Sequence, residues 1–291
     1  MADVKPNTDY SEPEYAKSQE RAKVPYYRPN IEHRLVSETQ ELLEKYSHIP
    51  PEDQSAHIHK LRDEAWDIRA YPCIGLGSWL TPQLRRLPIY DEILDRVKSH
   101  GATLVDVGTF VGHDLRRLAY DGAPSDKLYG VDIVSYADVS YDLFRDRETF
   151  KGHFIQADIL SDESAELNAL KGNVDIIVVS QLLHQWTWDN QVKAAKALVD
   201  YTKPGSLIVG NQIGNSKAFE LTLKTPPISI WRHNVESFTD MFNKEVGPAT
   251  GTTWEVQAWL RSFPDMGWDL SDAAWMEPDV CLVEFAARRL S

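Results

Sequence analysis

Residues 104–115 read Leu104-Val105-Asp106-Val107-Gly108-Thr109-Phe110-Val111-Gly112-His113-Asp114-Leu115. A short apolar run ends in Asp-x-Gly, a tight turn follows, and a second glycine opens a segment of helix length. Gly108 allows a sharp turn and close approach of the backbone, and Gly112 lets a helix N-terminus lie near a ligand. The run therefore predicts a strand–turn–helix unit with a ligand at the turn, and a tight turn without a ligand is the alternative.

The turn departs from the fingerprint of dinucleotide-binding proteins. That fingerprint carries a middle glycine and a third glycine around a bound pyrophosphate. Phe110 occupies the middle position here, and no glycine stands at the third. The bulk of Phe110 argues against a diphosphate at this turn.

Short apolar runs alternate with helix-length segments in the rest of the chain. Continuous apolar runs are typical of strands buried on both faces, and their alternation with helices predicts a parallel sheet with right-handed crossovers. The predicted parallel strands are 103–107, 128–134, 153–157, 175–180 and 206–211. Two more strands, 252–260 and 279–287, are joined by a loop without a helical pattern and are expected to be an antiparallel pair.

Helices are predicted before residue 101. Ile58, Leu61, Ala65 and Ile68 recur at spacings of three and four, which lines one face of a helix that ends ahead of Pro72. Residues 89–97 define a second amphipathic helix, and residues 1–23 are polar and without periodicity. We therefore expect a disordered arm at 1–23, a helical cap at 24–100 and a Rossmann-like domain at 101–291.

Composition excludes several classes of protein. The chain has 291 residues, and 44 acidic against 31 basic side chains give a net charge of -13, which argues against a nucleic-acid partner. Cys73 and Cys281 stand alone, so the sequence predicts neither a disulfide scaffold nor a metal site. The apolar stretches are too short to span a membrane, and the acidic start fits no secretory or transit peptide. We expect a cytoplasmic protein.

Acidic residues end three successive predicted strands. Asp106 ends the first strand, Asp132 the second and Asp158 the third. In parallel sheets ligands bind outside the carboxyl ends of the strands, and an acid about 20 residues beyond a glycine turn is the expected partner of ribose hydroxyls. The pattern indicates a nucleoside at this edge, although Asp132 as a helix cap is the alternative.

With these residues in place, the sequence resembles class I S-adenosylmethionine-dependent methyltransferases. It is most similar to methyltransferases of fungal natural-product clusters, notably those of meroterpenoid pathways, over residues 26–289. The motifs that carry this closer resemblance are Tyr71-Pro72-Cys73-Ile74-Gly75, Asp121-Gly122-Ala123-Pro124-Ser125, Tyr141-Asp142-Leu143-Phe144-Arg145-Asp146 and Trp231-Arg232-His233-Asn234. The resemblance implies a seven-stranded, mostly parallel sheet with an antiparallel last strand and an N-terminal helical cap over the cofactor.

The resemblance also implies roles for individual residues. Gly108, Thr109 and Gly112 would wrap the methionine part of S-adenosylmethionine, and Asp106 would order the loop or reach the amino group through water. The nucleoside and the rest of the cofactor would contact Asp132, Ile133, Asp158, Ile159 and Ser180. Phe110 departs from the pattern, so a relative that kept the fold, lost methyl transfer and catalyses cyclisation or isomerisation is the alternative.

The acceptor side offers two candidate catalytic residues, His184 and His233. His184 follows the fourth parallel strand and could act as a base toward a hydroxyl, or it could merely shape the pocket. Arg232 could pair with an acidic substrate or with an acidic side chain. The aromatic residues expected to bind a large apolar acceptor, rather than simply pack the cap, are Tyr27, Trp66, Tyr71, Trp186 and Trp231.

These observations predict an S-adenosylmethionine-dependent methyltransferase. The expected reaction is O-methylation of a carboxyl or hydroxyl group on a hydrophobic secondary-metabolite intermediate, such as a meroterpenoid or polyketide. The expected partner is a hydrophobic small molecule, and a homodimer is compatible with the sequence.

Overall fold

A mixed sheet of seven strands lies at the centre of the computed structural model, which describes residues 21, 24–161, 164–224 and 227–291. The predicted arm at 1–23 lies outside the described residues except for Arg21. The Arg21 guanidinium pairs with Asp63 at 3.4 Å and with Asp67 at 2.8 Å. No helix in the described ranges combines the length and apolarity that crossing a bilayer requires.

The sheet has the strand order β3-β2-β1-β4-β5-β9-β8, and a separate hairpin pairs β6 with β7. β9 runs antiparallel to both of its neighbours, β5 and β8, while the other neighbouring pairs are parallel. The strands are β1 Leu104–Val107, β2 Leu128–Asp132, β3 His153–Gln156, β4 Val174–Ser180, β5 Thr202–Asn215, β6 Phe219–Lys224, β7 Pro227–Arg232, β8 Trp254–Arg261 and β9 Val280–Arg289.

Helices cover both faces of the sheet and build the N-terminal region. Two of them, α1 and α9, continue as π-helical turns over Leu42–Tyr46 and Met241–Val246. The helices are α1 Ser37–Glu41, α2 Pro51–Ile68, α3 Pro72–Leu76, α4 Tyr90–His100, α5 His113–Tyr120, α6 Ala137–Phe144, α7 Ala165–Asn168, α8 Trp188–Val199, α9 Val235–Asp240 and α10 Gly247–Thr250.

The predicted sheet is confirmed, including its antiparallel last strand. The five predicted parallel strands correspond to β1–β5, and the antiparallel pair corresponds to β8 and β9. β5 extends to Asn215 and leads into the hairpin of β6 and β7, which the sequence analysis did not predict. The helix predicted around Ile58 is α2, which ends where Arg69 takes an extended conformation before Pro72.

The N-terminal helices share one apolar core with the segments that follow β1 and β2. Ile58, Leu61 and Trp66 of α2 are buried in the same cluster as Val111 and Val134. Val111 lies in the turn after β1, and Val134 lies just after β2. The helical region therefore packs directly over the carboxyl ends of these two strands.

A buried ion pair fixes the start of α5. The Arg116 guanidinium binds the Asp146 carboxylate through two hydrogen bonds of 2.8 and 3.1 Å, and the Tyr46 hydroxyl donates to the same carboxylate. Arg116 lies 3.9 Å from the centre of the Phe150 ring and is fully buried. Its Nη1 lies 2.9 Å from where a Cβ on Gly112 would stand, and Gly112 has φ +64°, so another residue at this position would be strained.

Candidate active site

The direction of the chain crossovers reverses between β1 and β4, at the carboxyl ends of these strands. These strands are neighbours, but the chain leaves β1 toward β2 on one side and leaves β4 toward β5 on the other. Ligands in open α/β sheets bind at such a point. Phe110 and Gln181, each shortly after one of these strands, have φ angles of +51° and +56°. Left-handed backbone at a non-glycine residue costs about 1–3 kcal/mol and clusters at functional sites.

The turn after β1 is held against β2 by the backbone. Gly108 and Thr109 both donate to the Val131 carbonyl, at 2.8 and 3.2 Å. Gly108 has φ +76° and Gly112 has φ +64°, which explains the glycine at both positions. The Phe110 ring leaves this turn and lies against the Tyr136 ring at 4.7 Å, and against that of Trp79 at 5.7 Å.

Asp132, the last residue of β2, joins two loops at this edge. One carboxylate oxygen accepts from the Phe110 amide and the other from the Val134 amide, both at 3.0 Å. Burial raises the pKa of Asp132 to about 6. Burial and the charge of Asp132 together raise the pKa of the Cys73 thiol to about 12, which places α3 of the N-terminal region near this carboxylate.

Two further carboxylates lie beside the glycine turn. Asp106 accepts from the Thr109 hydroxyl at 2.7 Å, and Asp114 accepts from the Leu84 amide at 3.2 Å. Burial raises the pKa of Asp114 to about 7; burial and the neighbouring charges of Asp114 and Asp132 raise that of Asp106 to about 8. Within the described ranges, no cationic side chain lies within ion-pair distance of these three carboxylates. The raised pKa values keep part of this set protonated near neutral pH, and a cationic ligand would favour the ionised forms.

The end of β3 lies beside the end of β2. The Ala157 amide donates to the Asp132 carbonyl at 2.9 Å, and the Asp158 carboxylate accepts from the Leu160 amide at 2.9 Å. Ile159 is half-buried, and Ile133 is exposed. The structure therefore brings the predicted nucleoside residues after β2 and β3 to one edge.

His184 lies in a short turn, Leu183–Gln185, that follows β4. Burial and the positive charge of Arg232 lower the pKa of His184 to about 3, so its imidazole is neutral at pH 7. Its Nδ1 is buried and has no hydrogen-bond partner among the described residues, and the same holds for the Ser180 hydroxyl at the end of β4.

His233 follows β7 and is fully buried. Its Nδ1 lies 2.9 Å from the Ser237 hydroxyl, and its ring packs against Trp188 at 5.3 Å and Phe238 at 5.5 Å. Burial lowers its pKa to about 3. The buried Nε2 atom has no hydrogen-bond partner in the part of the chain that the structure describes.

Arg232 is already paired with an acidic side chain. Its Nε lies 2.5 Å from the Glu277 carboxylate, and both side chains are almost completely buried. Its Nη1 also donates to the His184 carbonyl at 3.5 Å. Of the two alternatives drawn from the sequence, the structure shows the pair with an acidic residue of the protein.

The predicted aromatic residues divide into two groups. Trp186 and Trp231 lie together near the histidines. The backbone amide of Trp231 donates to the Trp186 carbonyl at 2.8 Å, and the side-chain amide of Gln191 donates to the carbonyls of Trp186 and Trp231, at 3.0 Å each. Tyr27 and Trp66 instead pack on each other in the N-terminal core, with ring centres 4.9 Å apart. Tyr71 is half-buried directly before α3 and packs against that same core.

Three parts of this region were not predicted from the sequence: Asp114, the hairpin of β6 and β7, and Glu277. Asp114 stands two residues after Gly112, where an acid in a first helical turn is a readable signal. The hairpin had a signal too, since apolar and polar residues alternate over 219–223 and 228–230. Glu277 lies in a loop, and no pattern marks it as the partner of Arg232.

The chain is similar in sequence to a described protein family and to several fungal methyltransferases. Residues 26–80 match the family described as "Meroterpenoid methyltransferase N-terminal domain". The O-methyltransferase phiE of a fungal species is 37% identical over 80% of this chain and 78% of its own length. The Asnovolin E/Chermesin D methyltransferase nvfJ of Aspergillus novofumigatus is 36% identical over 79% of this chain and 83% of its own length.

A third relative and one solved structure complete the comparison. The O-methyltransferase atr3 of Stereocaulon alpinum is 36% identical over 80% of this chain and 68% of its own length. The 1,6-didemethyltoxoflavin-N1-methyltransferase of Burkholderia thailandensis has a TM-score of 0.51 at 12% identity, covering 84% of this chain and 92% of that one. At this identity the solved structure shows that the fold is shared.

Proposed function

Since the chain belongs to the family of fungal methyltransferases that contains phiE, atr3 and nvfJ, we propose that it moves a methyl group from S-adenosylmethionine to an acceptor oxygen. The acceptor is a hydrophobic secondary-metabolite intermediate, such as a meroterpenoid or polyketide. The observation that carries the proposal is the set of three buried carboxylates with raised pKa values, Asp106, Asp114 and Asp132, none of which has a cationic partner within the described part of the chain.

The residues at this edge of the sheet fit the cofactor. A sulfonium nucleoside with an ammonium group is a cation, and its charge would stabilise the ionised forms of Asp106 and Asp114 beside the glycine turn. Asp132 would bind the ribose hydroxyls, residues 108–112 would hold the methionine part, and Asp158 with Ile159 would flank the adenine. When bound, the cofactor supplies a methyl group on an already activated leaving group.

Positioning then supplies most of the acceleration. Fixing two reactants in an in-line geometry is worth about 7–11 kcal/mol. A general base works best with a pKa near the working pH, and the low pKa of His184 makes it a weak one. This favours an acceptor that binds already ionised, so we propose a carboxyl group rather than an ordinary hydroxyl. His184 then orients the acceptor through its open Nδ1.

The direct test measures binding and transfer separately. Calorimetry with S-adenosylmethionine tests the cofactor site, and transfer of a labelled methyl group to paired carboxylic acids and phenols tests the acceptor. We expect micromolar-range binding and preferential labelling of the acids. Absence of both would refute the proposal, whereas conversion of an acceptor without cofactor and without an added methyl group would select cyclisation or isomerisation.

Substitution of His184 separates its two roles. Loss of a general base costs about 100-fold or more in turnover. For a carboxylate acceptor we expect His184→Ala to lower turnover only a few-fold and to leave cofactor affinity unchanged. His100→Ala, at an exposed histidine, is the matched control. A loss above 100-fold would assign His184 as the base and the acceptor as a hydroxyl.

A further inference from the structure

Two polar side chains lie next to each other on one face of the sheet, at the carboxyl end of β4. Ser180, the last residue of β4, is paired in register with Asn211 of β5. Paired residues of parallel strands point to the same face at a strand spacing of about 4.8 Å, so these side chains are neighbours. The same face carries Asp106, which is paired with Val178 two residues before Ser180. The two polar residues therefore share a face with a carboxylate of the candidate site.

The core beneath this pair is apolar. Val178 of β4 and Val209 of β5 belong to one buried apolar cluster on this face. Ser180 and Asn211 follow them two residues later on the same face, because side chains of a strand alternate between faces. The change from apolar to polar side chains marks the outer end of the core, where ligands of parallel sheets bind.

Both side chains carry a hydrogen-bond donor without a partner among the described residues. The Ser180 hydroxyl and the Nδ2 of Asn211 are buried, and Asn211 as a whole has no exposed surface. The oxygen of the Asn211 amide is already used, since the Nε2 of Gln181 donates to it at 2.5 Å. Buried polar groups of folded proteins are almost always paired. Two adjacent exceptions indicate a ligand that supplies the missing acceptor atoms.

The donor pair is tied to both turns of the candidate site. Gln181 begins the connection from β4 to the turn that carries His184, and its backbone amide donates to the Asn211 carbonyl at 2.7 Å. Together with the side-chain bond, this contact holds Gln181 at its φ of +56°. The next residue, Leu182, lies 3.5 Å from where a Cβ on Gly108 would stand. Asn211 therefore sets the backbone that joins the His184 turn to the glycine turn.

The acidic residues on this face do not oppose an anion at the donor pair. Glu284 of β9 is paired in register with Asn211, and the Nε of Arg261 neutralises its carboxylate at 2.7 Å. Burial and the nearby acidic groups raise the pKa of Asp106 to about 8, so most of this carboxyl group is protonated at pH 7. A carboxylate accepts several hydrogen bonds, and bonds to a charged acceptor are stronger than bonds between neutral groups.

We propose that the Ser180 hydroxyl and the Asn211 amide together bind a carboxylate group of a ligand in the active site. The inference rests on the proposed function, which supplies two such groups: one at the methionine end of the cofactor and one on the acceptor. Either group offers the acceptor oxygens that the two donors lack. A water molecule as the sole partner is the competing occupant.

The experiment compares ligands that differ in a carboxylate. For the cofactor, S-adenosylmethionine is compared with its decarboxylated form, which keeps the sulfonium and ammonium groups. For the acceptor, naphthoic acid is compared with naphthamide, with and without S-adenosylhomocysteine. Calorimetry with the full chain gives the ratio of affinities within each pair of ligands, and this ratio is the carboxylate preference.

Two variants remove the donors with little other change. Ser180→Ala deletes a hydroxyl that has no partner in the described part of the chain. Asn211→Asp replaces Nδ2 by an oxygen and keeps the oxygen that accepts from Gln181. A hydrogen bond to a charged group is worth about 10- to 150-fold in affinity, so each variant should lower the carboxylate preference of one ligand pair at least about 10-fold.

Three controls isolate the donors. Asn173→Asp makes the same change at an exposed residue before the opposite end of β4 and should keep the wild-type preference. Ser180→Thr keeps a hydroxyl and should also keep it. The ligands without a carboxylate should bind Ser180→Ala and Asn211→Asp within about three-fold of wild type, which shows that the site is still folded.

The outcomes separate this inference from the proposed function. A lower preference in the cofactor pair assigns the bound carboxylate to the methionine end, and a lower preference in the acceptor pair assigns it to the acceptor. Preferences that both variants leave within about two-fold of wild type overturn the inference in favour of water. Equal losses for ligands with and without a carboxylate overturn it in favour of a purely structural role. If the wild-type protein binds neither form of the cofactor, the proposed function fails, and the acceptor pair alone decides this inference.

Discussion

Replacement of Asp132 by asparagine is expected to separate protein stability from cofactor affinity. In the structure its two carboxylate oxygens accept from the Phe110 and Val134 amides. Asparagine has the same shape but one acceptor oxygen, so one of these two amides loses its partner. A hydrogen bond to a charged group is worth about 1.5–3 kcal/mol.

The buried charge of Asp132 offsets that loss. A pKa of about 6 instead of the ordinary 3.8 means that the ionised group destabilises the folded protein by about 3 kcal/mol above pH 6. Because the pKa of Asp132 is higher in the folded than in the unfolded protein, this cost is absent at low pH, and stability is lost as the pH rises through 6. Asparagine has no charge to bury. At pH 8 the two effects cancel, and we expect the free energy of unfolding to change by less than about 1 kcal/mol.

Cofactor affinity has no such compensation. If Asp132 binds ribose hydroxyls, Asp132→Asn loses one charged hydrogen bond, and the dissociation constant should rise about 10- to 150-fold. Calorimetry at pH 8 measures this value, urea denaturation measures stability, and Asp126→Asn, an exposed acid in the loop before β2, is the control. Affinity within three-fold of wild type would refute the ribose role. A stability loss above about 3 kcal/mol would show that joining the two loops is the main role.

Three further results follow from the same structure. The pKa values of Asp106 and Asp114 are raised to about 8 and 7, so binding of a cationic cofactor should release protons, and the affinity for the cofactor should rise from pH 6 to 8.5. Calorimetry in buffers of different ionisation enthalpy measures the proton release, and a result of no release would contradict this prediction. The Phe110→Gly variant should be about 1 kcal/mol more stable than Phe110→Ala, since only glycine tolerates φ +51° freely. Urea denaturation that gives the opposite order would show that the backbone at residue 110 is not strained. Glu277→Ala should cost about 3–5 kcal/mol by leaving Arg232 buried and unpaired. The double change Arg232→Met with Glu277→Leu should destabilise the protein less than Glu277→Ala alone. Thermal unfolding that shows a larger loss of stability in the double variant would contradict this prediction.

The sheet was predictable because its strands are buried on both faces. Continuous apolar runs such as 175–180 leave few alternatives, and parallel strands must be linked by crossover helices. The same rule explains why the sequence alone predicts that Asp132 and Asp158 lie at one edge. The carboxyl ends of neighbouring parallel strands have to meet there.

The parts that depend on distant contacts were not predictable. The bond from the Phe110 amide to Asp132 joins residues 22 apart, and the Arg232–Glu277 pair joins residues 45 apart. Trp66 shows the same limit for aromatic residues. Its aromatic side chain would suit a ligand pocket as well as a core. Only the packing of α2 against Tyr27 shows that Trp66 lies in the core.

The place of β9 in the sheet has a consequence for synthesis of the protein. This strand is the last of the chain, but it inserts between β5 and β8, and nine residues of β5, from Leu207 to Asn215, pair with it. While a ribosome is still making residues 216–279, β5 presents an unpaired and largely apolar edge. Such edges recruit strands from other chains. A nascent or truncated chain that stops before Val280 is therefore expected to aggregate, because the ten residues of β9 are needed to cover this edge of β5.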